Sequence, residues 1–438
     1  MFSPGSATKD KSGVTAHKPE RILNAQNTIP PLDRGPLSQG KKPSERKKGA
    51  EKRARASPND FTPWLAILPF AWLLWQFLAA TQTADVDLTK ITLKHFAASV
   101  VCFYLGYFCL SQYARPIGFW LPLIAAFALV LIAGWDQHFG GIEATRRYFF
   151  LYIYPTLTEV PEGYLKKISS SRIWGTLFYP NALAGVILLL LPMALGFIWS
   201  LRRRFTEGAR ILLLGLLGVP ALACLYWSQS KGGWLLLLLV ILVASLFLPW
   251  KRQLKLFLVG AALVLGLAGF FWKYSSFFQK GATSVAARFD YWRAAIATAS
   301  NHPLIGTGPG TFAVSYKKIK RPESEMSRLV HNDYLQQASD SGLPGFFAYG
   351  LLVLGGLACT YPAARAAATI NHGGESPDRI PLFIWLGLFS WALHGIIEFD
   401  LYIPAISWPA FALLGFLIGK PRIIPSTAPS AQPTVPSK

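Results

Sequence analysis

The sequence predicts an all-α polytopic membrane bundle of about ten, up to twelve, transmembrane helices with one large helical loop outside the membrane. Three observations predict it. Charged residues make up 15% of the 438-residue chain, against roughly a quarter in soluble domains. Mean hydropathy is +0.34 and 52% of residues are hydrophobic. The apolar residues also fall into runs, several reaching the ~17–25 residues that a helix needs to cross the hydrocarbon core.

The first run is "FTPWLAILPFAWLLWQFLAA", Phe61 to Ala80. Others begin near His95, Ile117, Asn181, Ile211, Trp234, Leu256, Leu343, Ile380 and Tyr402. Cys102, Cys109, Cys224 and Cys359 all fall inside predicted spans and form no CxxC pair. They read as small packing residues rather than metal ligands or a disulfide framework. Residues 1–60 are rich in Pro, Ser, Lys and Arg and include "KKPSERKKGAEKRARA". Such a segment buries no core and is expected to be a disordered basic tail, with no signal peptide, able to touch anionic lipid. Residues 420–438 are expected to be a second disordered tail, and residues 61–419 form the membrane-embedded domain between them. Beside ten spans, the net charge of +21 argues for membrane topology rather than nucleic-acid binding.

Lys and Arg of short loops prefer the cytoplasmic side. Placing the N-terminus inside puts "YARP" (Tyr113–Pro116), "LRRRFTEGAR" (Leu201–Arg210), "KRQLK" (Lys251–Lys255), Arg365–Arg379 and the C-terminal tail inside as well. Three segments then face outward: Asp136–Pro180, the turn "SQSKGG" (Ser228–Gly233), and the large loop 273–342. That loop carries Lys273, Lys280, Arg288, Arg293, Lys317, Lys318, Lys320, Arg321 and Arg328. A basic outer loop against apolar spans points to an anionic ligand at the outer membrane surface.

Within the loop, Val285, Phe289, Trp292 and Ile296 recur at helical spacing, with Arg288 and Trp292 one turn apart. Gly306, Gly308, Pro309 and Gly310 make a turn-rich connection. No Lys-Ser/Thr follows this "GTGPG", so it reads as a positioning turn rather than a phosphate loop. A second helix is expected to start near Ser327 and to carry His331. A neutral imidazole suits general-base work, although on spacing alone a histidine that caps a helix or bonds a carbonyl is the favoured reading. Arg288 suits a bidentate grip on phosphate, or equally an interfacial anchor beside Tyr291 and Trp292. Lys231 sits between two spans, where a cation is functional or snorkelling, and Gly232 and Gly233 would let a ligand approach the backbone. Arg172 and Asn181 stand where an outer segment re-enters the membrane. His394, Glu398 and Asp400 form a polar cap at the outer end of the ninth span.

The segments "SRIWGTLFYPNALAG", "SQSKGG", "ARFDYWRAAIATASNHPLIGTGPGTF", "HNDYLQQASDSGLPG" and "HGIIEFDLYIP" occur in that order. Together they resemble the O-antigen ligase and O-antigen polymerase superfamily of bacterial membrane glycosyltransferases, over roughly Phe61 to Gly419. The resemblance implies a GT-C-like helical bundle of the bacterial inner membrane, with both termini cytoplasmic and the large loop periplasmic. It implies metal-independent, cofactor-free and inverting transfer of a glycan from undecaprenyl diphosphate to an acceptor hydroxyl, on the lipid A core or another surface glycan or protein. By similarity His331 would be the base or acceptor-positioning group, and Arg288 would bind the lipid diphosphate. Lys231, Arg172, Asn181, Asn332, Tyr291 and Trp292 would complete the substrate contacts. Lys231 stands where the family usually has arginine, which keeps the charge and loses the fork; Arg172 could supply it. A polymerase joining repeat units and a protein O-oligosaccharyltransferase share these motifs. A transporter would instead show broken or charged helices near the bilayer midplane and inverted repeats; neither stands out.

Overall fold

The computed structural model describes residues 62–113, 116–157, 165, 168–177, 179–248, 250–275, 283–368 and 379–419. The expected tails at 1–60 and 420–438, with Phe61 and Lys280, lie outside the described residues. Among the described residues there are helices and no strand. Seven helical stretches among the described residues are long and apolar enough to cross a membrane.

The order is α1 (Thr62–Ala79), α2 (Val86–Tyr104), α3 (Ile117–Asp136), α4 (Ile142–Tyr148), α5 (Pro180–Ser200), α6 (Glu207–Ser228), α7 (Lys231–Leu246), α8 (Arg252–Lys273), α9 (Thr283–Asn301), α10 (Phe312–Ile319), α11 (Asp333–Gly350), α12 (Gly356–Ala368), α13 (Ile380–His394) and α14 (Pro404–Ile418). The starts follow capping chemistry. Asp85, Thr206, Ser230 and Asn332 each accept first-turn amides of α2, α6, α7 and α11, where the amides have no partner within the helix.

α5 and α13 form the centre and pack on each other. Both are apolar all round, and nearly every α5 side chain is buried, as expected of helices enclosed by others. Gly196 lets Phe383 close on α5, and Gly387 brings α13 onto the Leu189 carbonyl. α6 and α7 flank α5, α14 packs on α2, and α1 packs on α11. α8 has no buried residue. Exposed Leu121, Leu129, Phe257, Val264 and Leu265 make the apolar outer surface that a lipid-facing bundle requires.

α13 and α14 are 15 residues each, or about 22 Å, shorter than the ~30 Å hydrocarbon core. The hairpin between them, 394–403, accordingly lies inside the bundle: His394, Glu398, Asp400 and Leu401 are all buried.

Outside the spans, α9 and α10 share a small core of Tyr291, Ala295, Phe312, Tyr316 and Val330. The turn between them takes left-handed backbone at Gly306, Gly308 and Gly310 (φ 68°, 107° and 81°), conformations that glycine adopts without steric cost. Its amides are committed to the fold. Gly308 N–H donates to the Asp340 carbonyl at 2.8 Å, and Gly310 N–H to the Asp340 carboxylate at 2.9 Å. The reading of "GTGPG" as a positioning turn holds.

Two expectations are corrected. His331 is not on a helix: α11 starts at Asp333, after the Asn332 cap, because an Asn-Asp pair is a stronger helix start than Ser327. α11 also begins well before Leu343, where a span was expected; that position is the first after a kink at Gly342 (φ 72°). The polar half, Asp333–Ser341, is buried against α1 and the glycine turn, with Trp72 and Gln76 both donating to Gln337. The segment that follows Asp136 stays helical to Thr156 and bends at Phe139–Gly140.

Candidate active site

A cavity of about 610 Å³ opens where α5, α7, α8, α9 and the 394–403 hairpin meet. Its polar wall carries Arg172, Tyr179, Asn181, Lys231, Arg288, His331 and Glu398; Leu235, Leu267, Phe270, Phe271, Val285 and Phe289 form the apolar wall. Seven of the eight residues singled out in the sequence line it. Asn332 does not: its side chain caps α11 by accepting from Leu335 N–H at 3.0 Å.

Glu398 is the hub, and the sequence reading took it only for a polar cap. It is 3% exposed. Its Oε1 pairs with Arg288 and accepts from Asn181 Nδ2 at 2.6 Å. Its Oε2 accepts from the Tyr179 hydroxyl at 3.2 Å and meets His331 Nδ1 at 3.0 Å. Burial alone would push this carboxyl up. The hydrogen bond from His331 and the charge of Arg288 act against it, and the group lies at about 2. Glu398 is therefore ionised near neutral pH and can only accept hydrogen bonds. His331 Nδ1 must then carry the proton, which leaves a basic lone pair on Nε2.

The backbone holds that ring in place. His331 has φ 56°, a left-handed conformation costing about 1–3 kcal/mol for a side chain of this kind. The surroundings impose it: Trp292 Nε1 donates to the His331 carbonyl at 3.3 Å, and Val330 N–H donates to Gln336 Oε1 at 2.7 Å. The Tyr291 ring stacks on the imidazole at 5.7 Å between centroids, and Phe399 meets it edge-on at 4.8 Å. Tyr291 is buried, which together with nearby carboxylates raises its hydroxyl to about 12; it is a neutral wall rather than a base.

The hairpin bearing Glu398 is pinned to the start of α11. Asp333 N–H donates to the Gly395 carbonyl at 2.7 Å, and the Asp333 carboxylate accepts from Leu401 N–H at 3.0 Å. His394 and Asp400 close the hairpin at 2.7 Å. The polar cap thus divides in two: Glu398 faces the cavity, while His394 and Asp400 hold the hairpin that carries it.

The cations are placed by backbone contacts. Arg288 donates to the Ile397 and Ser284 carbonyls, each at 3.0 Å. Arg172 donates to the Ser228 carbonyl and to Asn181 Oδ1, each at 2.8 Å; burial lowers its pKa. Lys231 opens α7 and lies 5.3 Å from the Tyr274 ring. Of its glycine neighbours only Gly232 lines the cavity. Gly233 is packed against Ala184 and Leu225, so it serves helix contact rather than ligand approach.

Residues 216–350 match the family model described as O-antigen ligase. This match supports the resemblance of the chain to the O-antigen ligase superfamily. No curated protein matches it. The matched segment contains Lys231, Arg288, Tyr291, Trp292, His331 and Asn332 and ends before Glu398; Arg172, Tyr179 and Asn181 precede it. Folding brings these outlying residues to the same cavity. The match points to an enzyme of the O-antigen ligase or polymerase type, and the apolar helices point to a multi-pass membrane protein. Among the described residues no group of three His, Cys, Asp or Glu side chains is arranged to hold a metal ion.

Proposed function

We propose that the protein transfers a glycan from undecaprenyl diphosphate to an acceptor hydroxyl on the periplasmic face of the bacterial inner membrane, with both termini in the cytoplasm. The observation that carries this reading is the His331–Glu398–Arg288 arrangement in a cavity with one cationic and one apolar wall.

His331 Nε2 takes the proton of the acceptor hydroxyl as its oxygen bonds the anomeric carbon. The bond from that carbon to the diphosphate oxygen breaks, and the lipid diphosphate leaves with the electron pair. Glu398 keeps Nδ1 protonated and stabilises the imidazolium that forms. Arg288, Arg172 and Lys231 stabilise the negative charge growing on the leaving oxygen. The apolar residues of α7, α8 and α9 suit the isoprenoid end of such a donor. Attack from the face opposite the diphosphate inverts the anomeric centre, and no step requires a metal or another cofactor.

A ligase acting on a lipid A core, a polymerase joining repeat units and a protein O-oligosaccharyltransferase share this chemistry and differ in acceptor. The test is transfer in vitro from lipid-linked glycan, with wild type and His331→Ala. Loss of transfer with donor binding retained is expected; near-normal turnover by the variant would rule out the base. Products that grow as a ladder from the lipid-linked units alone would reassign the enzyme as a polymerase.

A further inference from the structure

A second cavity lies at the far end of the bundle. It measures about 190 Å³ and is lined by Ile117, Phe197, Ser200, Leu201, Arg203, Arg204 and Ile380. α5 fixes its position: Asn181, in the first turn, lines the catalytic cavity, and Phe197 and Ser200, in the last, line this one. The 21 residues of α5 separate the two by about 30 Å, the thickness of the hydrocarbon core. The second cavity therefore sits at the opposite membrane surface, and neither arginine touches the catalytic site.

Its wall has two chemistries in the order that a membrane imposes. Phe197, Leu201, Ile117 and Ile380 are apolar, and Arg203 and Arg204 stand exposed on the turn that follows α5. α3 and α13 both begin at its edge, so their positive dipole ends add to the field. The neighbouring connections contribute Arg202, Arg210, Lys251, Arg252 and Arg379. Basic residues on short connections would serve topology wherever they pointed. A recess that joins two of them to an apolar slot between helices has a narrower use, because that is the shape and charge of a phospholipid headgroup site.

We propose that this recess binds an anionic phospholipid of the leaflet at the far end, with the phosphate between Arg203 and Arg204 and the upper acyl chain against Phe197 and Ile117. The lipid wedges between α3, α5 and α13; α5 also reaches the catalytic cavity and α13 leads into the hairpin that lines it, so the lipid braces the bundle from the other surface.

The experiment uses the full-length protein in detergent, titrated with phosphatidylglycerol, phosphatidylcholine or inorganic phosphate. Thermal unfolding and lipid adducts in native mass spectrometry are the readouts. Phosphatidylglycerol is expected to raise Tm and to persist as a discrete adduct, whereas phosphatidylcholine does neither. The Arg203→Gln/Arg204→Gln variant is expected to bind it roughly thirtyfold more weakly, from about one kcal/mol per lost cation near the headgroup. Both side chains are exposed, so the variant is expected to fold, and its unliganded Tm checks that. An equal Tm shift in variant and wild type, equal binding of phosphatidylcholine, or a full shift from inorganic phosphate would each overturn the proposal.

Discussion

Replacing Glu398 with Gln tests the site with nearly the same shape and one charge fewer. The carboxylate now serves Arg288 and Asn181 through one oxygen, and Tyr179 and His331 through the other. A Gln amide can keep only one side of this pattern. If its oxygen faces Arg288, which donates only, its NH₂ faces His331 Nδ1. That nitrogen must then accept, and the ring proton moves to Nε2, where the basic lone pair was. Loss of a positioned base costs about 10²–10⁴ in rate. Stability should fall as well, because removing one partner of a buried ion pair costs about 3–5 kcal/mol. Arg288 keeps 18% of its side chain exposed to the cavity, so the lower end of that range applies. The assay is transfer from lipid-linked glycan, with kcat and KM measured separately, alongside thermal unfolding in detergent. The expected result is a folded protein with kcat down at least a hundredfold and KM for donor changed far less. A Glu398→Gln enzyme that folds and turns over within a few-fold of wild type would refute the tautomer argument.

The remaining predictions use the same contacts. The Tm difference between wild type and Glu398→Gln depends on pH: the folded carboxyl titrates at about 2 against an ordinary 4.5. Its stabilisation, on the order of 3 kcal/mol, is thus present above about pH 4.5, and melting curves should show it vanish as pH falls towards 2. Arg288→Ala should weaken competition by undecaprenyl diphosphate more than it changes KM for the acceptor; an unchanged inhibition constant counts against diphosphate binding. His331→Asn should retain more of the wild-type Tm than His331→Val, because Asn tolerates the left-handed backbone and a β-branched residue does not, while both lack transfer. Gly308→Ala should lower Tm by the equivalent of about 1–3 kcal/mol, since φ is 107° and the new Cβ would collide with the Thr83 side chain. Gly118→Ala, with no atom within 4 Å, is the matched control and should not lower Tm.

The membrane helices were legible in the sequence because their signal is local. A run such as Pro180–Ser200 must satisfy its backbone within itself once it lies in lipid, so apolar length alone implies a helix. The glycine turn at 306–310 and the helix at 283–301 were legible for the same reason, since turn chemistry and a 3.6-residue period need no partner. His331, Arg288, Lys231 and Arg172 could be picked out because cations and a histidine are conspicuous beside apolar spans. The helix start at Asp333 was also written locally, in the Asn-Asp pair, and was missed by extending the helical pattern backwards to Ser327.

The role of Glu398 could not be read that way. Nothing near it in sequence distinguishes it from Asp400, two residues on, yet one faces the cavity and the other is held by His394. The contact with Arg288 spans 110 positions and that with His331 spans 67. Both exist because two short central helices draw their hairpin into the bundle, and Asp333 pins it beneath the loop. Amino-acid order by itself determined which segments enter the membrane and which cations border them, since hydrophobic transfer and backbone satisfaction act residue by residue. Only the tertiary structure decided which carboxylate holds the imidazole, because a proton's position depends on the charges within a few ångströms, and those come from parts of the chain that meet only on folding.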